Sequence, residues 1–113
     1  MKAVVHLTSS AEADREFALR CAAALRRNEE LSVEDVTILA HRDGISLVTA
    51  DAAERDAVAE LVEDGVTVKA GATCFDARDV PRSEALPGVE LVPSGVGELV
   101  RLQSAGYHYV KVP

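Results

Sequence analysis

The side chains in this chain best equipped to make or break bonds are Cys74, His6 and His41. Cys74 sits in the turn Gly71–Phe75, directly after the apolar run Val66–Ala70. A thiol at a helix start has its pKa lowered by the helix dipole and by free N–H groups. It would then be a nucleophile or a persulfide carrier. Free cysteines also serve as small buried hydrophobes, and position in the sequence leaves both roles open. Asp76 and Asp79 oppose thiolate formation there, and Arg78 favours it. Cys21 follows Phe17 by one helical turn on an apolar stripe, which assigns it to core packing.

His6 and His41 each close an apolar run, so both belong at the same edge of a parallel sheet. Two imidazoles there could orient a ligand or protonate a sulfur leaving group. Each could equally be a hydrogen-bonded strand-end histidine. His-His-Cys is a possible zinc ligand set, but no close pair such as H-x-x-x-H anchors a metal, and no metal site is expected. His108, between Tyr107 and Tyr109, fits a structural or interfacial role. Ser94 and Gly95 open a helix at the same edge and complete a ligand-binding set with His6 and His41. Gly95-Val-Gly97 resembles a phosphate turn only weakly, because Glu98 places a negative charge in the first helical turn and repels an anion. Close packing of the glycine backbone is the simpler explanation. There is no Walker A loop, no G-x-S-x-G elbow and no H-E-x-x-H, and no cofactor is implied.

The elements that must hold these residues alternate along the chain. Residues 3–7 form a continuous apolar run, as suits a strand covered on both faces. Ser9 and Glu12 make a capping box for a helix whose stripe is Phe17, Cys21, Ala24 and Leu25. Asn28 ends it. A second strand spans about 33–41, and residues 45–50 are either a short strand or a helical turn. Asp51, with Glu54 as partner, caps a helix carrying Val58, Leu61 and Val62, and Gly65 stops it. The third strand is 66–70. Pro81 and Pro87 interrupt the stretch that follows. Strand 89–92, a helix capped by Ser94, a stop at Gly106 and strand 107–112 complete the chain. Strands alternating with helices predict right-handed crossovers and a mainly parallel, five-stranded sheet in a three-layer α/β/α sandwich. Ligands of such sheets bind outside the carboxyl ends of the strands.

The 113 residues suit one domain, and no linker or repeat divides residues 1–113. The opening apolar run is too short for a secretory core of about 7–15 residues or for a membrane span of about 20, so a cytoplasmic, soluble protein is expected. Two cysteines make no disulfide scaffold. The net charge of −7 argues against binding a nucleic-acid backbone. Lysine is confined to Lys2, Lys69 and Lys111.

The segment from Leu86-Pro-Gly-Val-Glu-Leu-Val-Pro-Ser-Gly-Val-Gly-Glu-Leu-Val-Arg-Leu-Gln to Gly106-Tyr and Tyr109-Val-Lys111 resembles the closing signature of a DsrE subfamily. The opening Val4-Val-His-Leu-Thr-Ser-Ser and the strand ending at His41, followed by Gly44-Ile45, resemble the same group. The resemblance implies a flavodoxin-like α/β/α layering and assembly into trimers or hexamers. It also implies sulfur relay as a cysteine persulfide passed to a partner protein, here through Cys74. The family's usual cysteine aligns with Gly71, and Cys74 falls three residues later. The alternative is a non-catalytic small-ligand-binding, structural or regulatory subunit.

Overall fold

A computed structural model describes all residues, 1–113. Five parallel strands form one sheet: β1 (Lys2–Leu7), β2 (Asp35–Ala40), β3 (Thr67–Gly71), β4 (Val89–Val92) and β5 (Tyr107–Val112), in the order β4-β3-β2-β1-β5. The helices are α1 (Glu12–Arg27), α2 (Arg55–Glu63), α3 (Ala72–Ala77) and α4 (Gly95–Ser104). The chain steps outward from β1 to β4 and then returns across the sheet to place β5 beside β1. With right-handed crossovers, that reversal puts α4 on the opposite face from α1 and α2.

Strand alternation separates the two layers of core. Ala3, Val5 and Leu7 of β1 and Val36, Ile38 and Ala40 of β2 join the large cluster with Ala18 and Ala22 of α1. The intervening Val4 and Leu39 pack on Leu102 of α4. The fold is the expected three-layer α/β/α sandwich, with every strand pair parallel. No helix is long and apolar enough to cross a membrane.

Several local expectations shift. The buried face of α1 runs through Ala18 and Ala22, while Phe17 is 47% exposed. The small alanines let α1 approach the sheet closely, and the bulky Phe17 ring is turned outward. Ser9 accepts the N–H of Ala11 rather than capping α1, whose N-cap is Ala11. Asp51 is likewise no cap: its carboxylate accepts the Thr49 hydroxyl at 2.7 Å, and α2 begins after Glu54. Residues 45–50 take the helical-turn alternative and form no strand. A 3-10 turn covers Arg42–Leu47, and Thr49 makes only an isolated antiparallel bridge with Ala85. Gly65 and Gly106 close their helices at positive φ, and Ser94 caps α4 through the Gly97 N–H at 3.1 Å, as expected.

Candidate functional site at the carboxyl edge

His6 is the penultimate residue of β1, and His41 follows directly on β2. In the β1–β2 register His6 lies opposite Leu39, so period-two alternation puts His41 on the same face, one diagonal step away. The rings stack with centroids 5.4 Å apart, and His6 Nε2 meets His41 Nδ1 at 3.2 Å. In the β1–β5 register Val4 faces Tyr109, so Tyr109 is the diagonal neighbour of His6 on the other side. Its hydroxyl lies 2.9 Å from His6 Nδ1. The result is a hydrogen-bonded chain, Tyr109–His6–His41, crossing three strands at the point where the strand order reverses.

This chain has two proton arrangements. In one, the Tyr109 hydroxyl donates to His6 Nδ1, His6 Nε2–H donates to His41 Nδ1, and His41 keeps a proton on Nε2. In the other, each donor and acceptor is exchanged and His41 Nε2 carries a bare lone pair. The open nitrogen of His41 can therefore donate or accept. Burial is the largest cause holding the His6 pKa below 6.5, with His41 adding to it. For His41 the causes are burial, then the charges of Arg42 and Arg78. In both rings the fold favours the neutral form.

Cys74 lies in the first turn of α3, as expected, but its thiol is not open. The residue is 7% exposed and belongs to the large apolar cluster with Phe75 and Ala70. The sulfur accepts the Arg42 N–H at 3.1 Å. Around it, the Arg78 guanidinium binds the Cys74 carbonyl at 3.3 Å and Asp43 at 2.8 Å. The nearest cleft, about 310 Å³, includes Asp43, Ser46 and Arg78 in its walls, and neither histidine lines it. Cys21 packs at the margin of the core, as expected, where burial raises its pKa against the opposing charge of Arg20.

Two glycines bring the parts together. A Cβ on Gly95 would sit 2.6 Å from His41 Cδ2, and one on Gly71 would sit 3.0 Å from the Gly95 nitrogen and 3.2 Å from the Cys74 sulfur. Gly95 is therefore placed against His41 by backbone contact, and Gly71 is the spacer between the start of α4 and the thiol. At Gly71 itself a side chain would compete with the Cys74 sulfur for space. Ser94 reaches the same edge, with its hydroxyl engaged in the helix cap.

Three participants were not legible as such. Tyr107 and Tyr109 carry no role in the sequence beyond flanking His108, yet Tyr107 hydrogen-bonds Asp35, while Tyr109 joins the histidines. Alternation along β5 was the available signal. Arg42 carries no motif. Glu98 does not leave a bare negative charge at the start of α4, because Lys69 and Arg101 both bind it, each at 2.5 Å. No three His, Cys, Asp or Glu side chains gather to hold a metal: the histidines bond each other, and the thiol is bonded by Arg42.

Residues 1–112 match the DsrE/DsrF-like family. No curated protein matches the chain. Among solved structures, the protein of unknown function MTH1491 from Methanobacterium thermoautotrophicum is similar at TM-score 0.90 and 25% identity, over 97% of each chain. The ychN protein from E. coli is similar at TM-score 0.78 and 20% identity, over 98% of this chain and 99% of that one. BT1422 from Bacteroides thetaiotaomicron, a conserved protein of unknown function, is similar at TM-score 0.76 and 19% identity, over 98% of this chain and 94% of that one. By the extent of the family match, carried on an all-parallel α/β/α frame, this chain belongs to the DsrE/DsrF-like family.

Proposed function

We propose that this chain is a small-ligand-binding member of its family, acting in the cytoplasm as a homo-oligomer. Its site is the carboxyl-edge set of His6, His41 and Tyr109 beside Ser94 and Gly95. One observation carries the choice over sulfur relay: the histidine chain offers an unpaired ring nitrogen, while the only thiol near it is 7% exposed and packed in the core. A sulfur carrier must present its thiolate to two partners in turn, and reactivity follows exposure.

Persulfide relay through Cys74 is the second reading, favoured by a specific contact. A backbone N–H aimed at the sulfur supports a thiolate or a persulfide anion. Membership in the subfamily with the Val-Pro-Ser-Gly-Val signature belongs with that reading. Incubation of native protein with a polysulfide donor, followed by intact-mass measurement, separates the two. Ligand binding without covalent chemistry predicts no added sulfur. One sulfur gained by wild type and Cys21→Ala, removed by reductant and absent from Cys74→Ala, would overturn it in favour of relay.

A further inference from the structure

The chain carries 19 acidic residues against 12 Lys and Arg. Arg15, Lys69, Arg78, Arg82 and Arg101 have carboxylate partners, and the other seven, Arg42 among them, have none. Arg42 is exposed and adjoins His41, with its backbone held at φ 55°, in the left-handed region that a non-glycine residue seldom occupies. The structure thus keeps an unpaired guanidinium beside the histidine pair in an otherwise acidic molecule.

Beside it, His41 Nε2 has no hydrogen-bond partner and is not fully sealed, since Ser46 Oγ is the one fully buried side-chain polar atom left unpaired. The backbone of Gly95 lies against that edge of the ring. Ser94 occupies the N–H groups of Gly97 and Glu98, so the N–H groups of Gly95 and Val96 find no acceptor. Glu98 does not oppose an anion here, because two cations hold it.

We infer that this edge binds a compact anion, a carboxylate or an oxyanion, between the Arg42 guanidinium and His41 Nε2, within reach of the N–H groups that begin α4. The inference rests on the ligand-binding role proposed above and names the ligand class of the same site. The anion selects the first proton arrangement, in which His41 Nε2–H donates and Tyr109 donates into His6. Arg42 supplies the charge and the histidine chain the directed hydrogen bond.

The test follows the histidine ring resonances by NMR while inorganic sulfate, and separately acetate, is added at low and matched ionic strength, where screening is weakest. A saturable shift of the His41 signals is expected, with His6 following through the shared hydrogen bond. Saturation by sulfate alone identifies an oxyanion, and by acetate a carboxylate. Affinity should fall about tenfold or more in Arg42→Gln, the scale of one charge-assisted hydrogen bond. Arg42→Gly should lose the same factor: it keeps the N–H given to Cys74 and suits the left-handed backbone, so its fold is secure. Arg27→Gln, on α1, should bind as wild type. A linear, unsaturated drift in wild type overturns the proposal, as does unchanged affinity in both Arg42 variants. A persulfide formed on Cys74 without saturable anion binding would defeat the anion site and support sulfur relay. Arg42-dependent binding without persulfide supports the anion site and the ligand-binding role together.

Discussion

At the scale of single residues, the carboxyl edge is organised by which polar groups are already satisfied. The Cys74 sulfur, the Ser94 hydroxyl and the facing nitrogens of the two histidines all have partners, so the chemistry open to the site narrows to His41 Nε2, Arg42 and two backbone N–H groups. The histidines also tie stability to pH. Their folded pKa values lie below the ordinary 6.5, so between the two values the unfolded chain binds more protons. Their contribution is complete above about 6.5 and fades as pH falls through the folded values. Urea midpoints should therefore drop between about pH 7 and pH 5.5 in wild type, and drop less in the double variant His6→Gln/His41→Gln. Equal slopes in the two proteins would show that the pair is not held neutral by the fold.

At the scale of elements, α4 is the only helix on its face of the sheet, and an ion cluster helps hold it there. Lys69, on β3, is 9% exposed and would be costly unpaired. Glu98 binds it at 2.5 Å, and Glu90 of β4 lies 3.4 Å away. Hydrogen bonds from Arg101 and then Lys69 outweigh burial and hold the Glu98 carboxyl down at about 2, against an ordinary 4.5. Arg101 is 61% exposed on its side chain, so solvent screening discounts its share. Glu98→Gln should cost about 1–2 kcal/mol at neutral pH by urea denaturation. A folded pKa below the unfolded one means that this contribution is present above about 4.5 and is lost as pH falls toward about 2. The gap between variant and wild type should close over that range. A gap that persists at the acid end would assign the loss to packing instead.

At the scale of the whole molecule, coverage of the sheet is unequal. The buried residues of α1, α2 and α3 join one cluster and only α4 covers the other face, and α4 shows Val96 at 57% and Val100 at 63% exposure, with Tyr109 of edge strand β5 at 42%. Exposed apolar groups on a helix and an adjacent edge strand are suited to burial against further copies. Light scattering at micromolar concentration should give the mass of a trimer or hexamer, lowered by Val100→Glu. A species at 12.0 kDa in wild type would refute self-association.

The sequence by itself determined the order of the elements and most of their ends, though not where α1 and α2 begin. Those follow from local signals: apolar runs for the strands, Ser94 as a cap, and Gly65 and Gly106 as helix stops, each acting within a few residues. It also placed His6 and His41 at one edge, because both close strands of a parallel sheet. Only the tertiary structure decided what those residues can do. Whether the Cys74 thiol meets solvent depends on how α3 packs against the turn that starts at Arg42, 32 residues earlier in the chain. That Tyr109 completes the histidine chain depends on β5 pairing with β1, across 103 residues. The outward turn of Phe17 depends on how closely the alanines of α1 can approach the sheet. A local pattern gives an element its face and its ends. Register and close packing between distant segments settle which side chains are sealed, which are paired and which remain free to act.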